Sequence, residues 1–174
     1  MVRRYPKTLS SGENNTVIAI SENQVGKLFS GDTRSDIGSE AEKMQYANKV
    51  NRLVVKFIRL DQDENSGSDM LVMERLFPMD YRAFEVEKRE IWFSVFEDEL
   101  NELHKAGFVH RDIKRPAEIS GMQYDNVFLT ESGLRLIDLG ISALKDKVGD
   151  MLFDKYIKEE LEEVNEFKEF FLSR

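Results

Sequence analysis

His110-Arg111-Asp112-Ile113-Lys114 is the stretch on which the reading of this 174-residue chain turns. At about one in twenty per position, five fixed residue types arise by chance in roughly one chain of this length in twenty thousand. A lone aspartate is most often a turn or cap residue, so the neighbours decide. Just upstream, residues 87–106 carry Ile91, Trp92, Val95, Phe96, Leu100 and Leu103, which predicts an amphipathic helix. Gly107 stands where a helix C-terminal cap is wanted. Downstream, Val127-Phe128-Leu129 and Leu134-Arg135-Leu136-Ile137 flank Thr130-Glu131-Ser132-Gly133, which predicts a hairpin with a four-residue loop. Asp125-Asn126 directly precedes this hairpin and Asp138-Leu139-Gly140 directly follows it.

Towards the N-terminus the period changes from helical to alternating. Residues 16–20 and 24–29 read as two strands around the polar turn Ser21-Glu22-Asn23. A polar loop over 30–39 leads into a helix over 37–51, where Ile37, Ala41, Met44 and Ala47 recur at helical spacing. Residues 53–60 and 70–76 read as strands joined by the acidic turn region 61–69, and Pro78 stops the second. Residues 151–172 place Phe153, Ile157, Leu161, Val164, Phe167 and Phe171 on one stripe and predict a last packed helix. The order is a β-rich first half with one helix, then a helical second half with a small hairpin. A boundary falls near 76–81.

Composition narrows the function classes. With 25 basic and 33 acidic residues the net charge is −8, which makes nucleic acid an unexpected partner. There is no cysteine, so disulfides and thiolate metal sites are excluded, and His104 and His110 alone make no His-rich site. No apolar run approaches the ~20 residues of a membrane span. Basic residues at the N-terminus have no apolar stretch behind them, so no secretory signal is read there, and a cytoplasmic protein without a membrane partner is expected.

The order of motifs from about residue 16 to 140 resembles the catalytic core of eukaryotic-type Ser/Thr protein kinases. The resemblance implies an α+β, two-lobed architecture: a small antiparallel-sheet lobe over residues 1–76 and a reduced helical lobe over 77–174. It implies an ATP- and Mg-dependent phosphotransferase that moves the γ-phosphate to a hydroxyl, with Ser/Thr of a protein favoured by Lys114 two residues after the aspartate. A pseudokinase-type nucleotide-binding or scaffold module, or a small-molecule kinase, is the alternative. By the resemblance, Asp112 takes the acceptor proton and Lys114 neutralises the transferred phosphoryl group. Asn126 and Asp138 hold Mg²⁺, a hard cation that prefers oxygen ligands. Lys27 anchors phosphate, Met73 is the gatekeeper, and main-chain groups of about Glu74 to Leu76 meet adenine.

The resemblance also asks for a glutamate partner for Lys27, and helix geometry chooses it. At 100° per residue the direction set by Ile37, Ala41, Met44 and Ala47 lies about 45° from Glu40 and about 155° from Glu42. Glu40 is therefore the expected partner and Glu42 a solvated residue. The chain departs from the family at three places. The phosphate-covering loop would be Ser10-Ser11-Gly12-Glu13-Asn14-Asn15-Thr16, with one glycine. An insertion within 115–124 separates Asp112 from Asn126, and Ala117 stands where the family's asparagine would fall. After Gly140 no Ala-Pro-Glu motif follows, and only Ser142 stands near Arg111, which in the family meets a phosphorylated loop. The terminal helix is expected to pack on the 87–106 helix, with self-association through remaining apolar surface as a further expectation.

Overall fold

Strand alternation and helical stripes decide where each segment of this chain goes. The computed structural model describes residues 5–11, 15–29, 36–116 and 123–173. Five strands form one antiparallel sheet: β1 (Lys7–Ser11), β2 (Asn15–Ala19), β3 (Gln24–Phe29), β4 (Phe57–Gln62) and β5 (Asp69–Glu74), in the order β1-β2-β3-β5-β4. The β2–β3 hairpin pairs Val17 with Lys27 and Ala19 with Val25, as its alternation requires. Along β3, Val25 and Phe29 point into the main core, and Lys27 shares their side of the strand. Helix α1 (Ile37–Asn48) opens on an Asp36 cap that accepts the Gly38 N–H, and it buries Glu40, Ala41, Met44 and Ala47. It ends at Asn48, three residues before the expected limit.

The second half begins with α2 (Val86–Ala106), which Gly107 closes in the left-handed conformation at φ 95°. β6 (Phe108–Val109) follows, then the hairpin β7 (Val127–Thr130) and β8 (Gly133–Leu136). β9 (Ala143–Leu144) pairs with β6, and the short α3 (Lys145–Val148) leads to α4 (Asp150–Leu172). α4 packs on α2 through Phe93, Phe96, Phe167 and Phe171. One core joins Val25 and Met44 to Leu53, Phe93, Leu103 and Phe167. No helix among the described residues is long and apolar enough to cross a membrane.

The structure corrects several local expectations. Residues 53–60 are not one strand. Leu53, Val54 and Val55 are fully buried and run beside β8, where Val55 N–H donates to Leu136 O and Leu136 N–H to Leu53 O, both at 2.8 Å. Only from Phe57 does the chain join the sheet. The inward stripe of α2 is Arg89, Phe93, Phe96, Leu100, Leu103 and His104. Ile91 is 65% exposed and Val95 is exposed too, because two residues are 200° of helix and put both opposite Phe93. On α4 the stripe passes through Glu160 rather than Leu161. The β7–β8 hairpin pairs Thr130 with Gly133, so its loop is the two residues Glu131-Ser132 and not four. Ser10 and Ser11 of the expected phosphate loop lie in β1 and Thr16 in β2; residues 12–14 lie outside the described residues, as do most of the 30–39 loop and Ala117.

Candidate functional site

The sheet and α1 bring three charges together. Lys27 is buried, and its Nζ donates to Glu40 Oε1 at 2.9 Å and Oε2 at 3.2 Å. The same ammonium donates to Asp138 Oδ1 at 3.2 Å, a contact 111 residues apart in sequence. Glu40 is 1% exposed and Glu42 faces solvent, where it pairs with Lys147 at 3.5 Å. Burial works against the charge on Lys27, yet Asp138 and Glu40 together raise its pKa above the ordinary value. Burial likewise pushes the Asp138 carboxyl up, but Lys27 and the Gly140 N–H outweigh it and hold it below the ordinary carboxylate value. Asp138 sits at φ 60° and Arg111 at φ 72°, the two positive-φ residues other than glycine among those described. Such backbone strain collects at functional sites.

The loop after β6 is organised by His110. Its Nδ1 accepts the Asp112 N–H at 3.3 Å, which leaves Nε2 as the donor to Ile137 O at 2.9 Å. The Ser142 hydroxyl donates to His110 O at 3.0 Å. Asn126 Nδ2 donates to Asp112 O at 3.0 Å and to Asp112 Oδ2 at 2.9 Å. Both hydrogens of that amide are used, so its carbonyl oxygen is the atom left for another role. Ile137 N–H donates to Asn126 O at 3.0 Å, which sets Asn126 beside the strand end that carries Asp138. On either side of residues 117–122, which lie outside the described residues, Arg115 N–H donates to Gln123 O at 2.7 Å, and Arg115 pairs with Asp125 at 2.8 Å. Burial, with Asp138 nearby, raises the Asp112 pKa.

The expectations for Lys114, Arg111 and the adenine-side residues change in detail. Lys114 pairs with Glu166 of α4. Arg111 lies over the Tyr156 ring at 3.6 Å and donates to Ile141 O at 3.0 Å, whereas Ser142 turns to His110 instead. Met73 is a core residue, Leu76 is half-buried, and the Glu74 carboxylate accepts the Lys56 N–H at 2.9 Å and a bond from Arg135. The main-chain N–H of Glu74 goes to Lys56 O and that of Arg75 to Asn23 O, so two of the three N–H groups expected at adenine have partners within the chain.

Sequence reasoning missed the contribution of α4. Glu160 accepts the Arg111 N–H and meets His104 Nε2 at 2.8 Å; Glu163 accepts the N–H groups of Ile113 at 3.2 Å and Lys114 at 3.1 Å. The signal was present: Phe153, Ile157, Glu160, Val164, Phe167 and Phe171 step by three and four, and a glutamate in that stripe needs an internal partner.

No protein-family model and no curated protein matches the chain. Among solved structures it is similar to the kinase PK-1 of Cydia pomonella granulovirus, with a TM-score of 0.58 at 18% sequence identity over 79% of this chain. The chain spans about half the length of that kinase, 51% of it. At this identity the likeness shows the fold: an α+β, kinase-like architecture.

Proposed function

We propose that the chain is an ATP- and Mg²⁺-dependent phosphotransferase of protein-kinase type. The observation that carries this reading is the convergence of Lys27, Glu40 and Asp138 beside the hydrogen-bonded pair Asp112–Asn126. Phosphoryl transfer asks mainly for positioning and charge neutralisation, and these are the residue types that supply both. Asp112 takes the proton of the acceptor hydroxyl; its raised pKa keeps it a better base than an exposed aspartate. The donor set suits Mg²⁺: the Asn126 carbonyl oxygen and the Asp138 carboxylate are hard oxygens, and this ion binds through one or two carboxylates together with phosphate and water. Bound there, the ion would draw charge from the phosphates. Lys27 has three N–H donors, all engaged by Glu40 and Asp138, and a phosphate would take the place of one of these bonds. Adenine would then meet the main chain at Leu76, between a sheet part, residues 1–76, and a helical part, residues 77–174.

The sequence His110-Arg111-Asp112-Ile113-Lys114 favours Ser/Thr of a protein as acceptor; a small-molecule hydroxyl is the other class. A second reading, a nucleotide-binding module with little transfer, draws on the Lys114–Glu166 pair, which engages the ammonium expected at the phosphoryl group. Incubation with Mg-ATP and generic protein substrates, beside Asp112→Ala, separates the two. The expected result is transfer that falls on the order of 10²–10⁴-fold in the variant. Equal background in both proteins, with nucleotide still raising the melting temperature, contradicts the transferase reading.

A further inference from the structure

Three carboxylates on α4 meet the segment that carries Asp112. Glu160, Glu163 and Glu166 stand three residues apart, so they line one side of the helix. Glu160 takes the Arg111 N–H, Glu163 takes the N–H groups of Ile113 and Lys114, and Glu166 pairs with the Lys114 ammonium. Glu163 is the member of the row that grips two consecutive peptide groups, and these directly follow Asp112. A loop has few ways of fixing its own main chain, so a carboxylate from a packed helix sets its course.

We propose that Glu163 is a positioning residue for phosphotransfer: its ionised carboxylate fixes the main chain at Ile113 and Lys114 and so aims Asp112, and the transfer rate follows its ionisation. The inference rests on the phosphotransferase reading above. Hydrogen bonds to an ionised acceptor are about twice as strong as neutral ones, and protonation converts one carboxylate oxygen to a hydroxyl. The groups facing Glu163 are Glu160 and Glu166 along α4, Asp112 and Lys114 on the loop, and Tyr124 beyond it. Burial, then the charges of Glu160 and Asp112, push its carboxyl up to about 7 against the two N–H bonds that favour the ion. Its charge therefore changes within the range in which transfer is assayed.

The test measures kcat and KM for transfer from Mg-ATP in wild type and Glu163→Gln from about pH 6 to about pH 8.5. Glutamine keeps the acceptor and the shape but has no charge to gain. The wild-type to variant ratio of kcat should rise about three- to tenfold across this range, with the KM ratio for ATP flat. The midpoint of that rise should lie near 7. The ratio cancels any titration that both proteins share, and a purely structural role would leave it constant. A constant kcat ratio in an active enzyme overturns the positioning role and leaves phosphotransfer standing; a wild type with no transfer overturns the transferase reading itself. Amide NMR signals of Ile113 and Lys114 give a second readout. They should shift with the same midpoint in wild type and not in Glu163→Gln, and signals that stay still overturn the coupling whatever the activity.

Discussion

The candidate site is supported from two sides by opposite electrostatics. On the sheet side, one cation lies between two carboxylates, and attraction keeps Lys27 above and Asp138 below their ordinary values. On the α4 side, carboxylates face main-chain N–H groups and one another, and Asp112 and Glu163 are both raised. Burial opposes charge on both sides; only the sheet side carries a counter-ion at its centre. Lys27 and Asp138 hold their charges across neutral pH, and Glu163 changes within it. Rigidity and responsiveness are thus built into one site by the choice of neighbour.

Replacing one member of the buried pair should have the largest effect on stability. Lys27→Ala leaves the Glu40 carboxyl enclosed without its cation, and urea unfolding should show a loss of about 3 kcal/mol or more. The double change Lys27→Met with Glu40→Leu should lose less than the single one, since only Asp138, which is partly exposed, stays behind without its cation. A single variant as stable as wild type would break the contrast at its stronger end. Glu160→Ala comes next: it leaves the Arg111 N–H and His104 without their acceptor in a buried place, at a cost of about 1–3 kcal/mol in the same measurement. Glu166→Gln is the smallest case, because the Lys114–Glu166 pair is partly exposed, and its cost should stay below about 1 kcal/mol. The two α4 positions, Glu160 and Glu166, therefore grade with burial within one helix.

Glu163 has a sign opposite to that of Asp138. Its folded value of about 7 against an ordinary 4.5 means that between these pH values the folded chain keeps a proton that the unfolded chain has released. Its contribution to stability is full below 4.5 and is lost as pH rises through 7. Between Glu163→Gln and wild type, the melting-temperature difference should move in favour of the variant from about pH 5 to about pH 8. A difference that does not change with pH would place Glu163 with the sheet-side groups. For Asp138 the lowered value gives stability present above 3.8 and lost only as pH falls through its folded value below that.

Much of this site is legible in the chain because its signals are local. The five-residue motif, the hairpin behind Asp125-Asn126 and the helix angle that separates Glu40 from Glu42 each need only a few neighbouring residues. Gly107 is legible for the same reason, since a helix end requiring positive φ asks for it. What could not be read depends on contacts between distant segments. Residues 53–55 carry an alternation-free apolar run, which fits a strand in the sheet or a segment beside β8 equally well, and tertiary pairing with Leu136 decides. Ile91 and Val95 are apolar on a helix whose inward face is fixed by Phe93 and Phe96, and apolar type alone does not mark burial. The grip of α4 on the loop is invisible because Glu163 and Ile113 are 50 residues apart, although Glu160 in an apolar stripe was a usable hint.

The contrast between the two supports is tested most directly by a carbon-13 NMR titration of the Asp138 and Glu163 carboxyls in the nucleotide-free protein. The account expects Asp138 to stay ionised from about pH 5 to about pH 9 while Glu163 titrates near 7. A Glu163 midpoint at the ordinary carboxylate value, or an Asp138 that titrates beside it, would contradict the account.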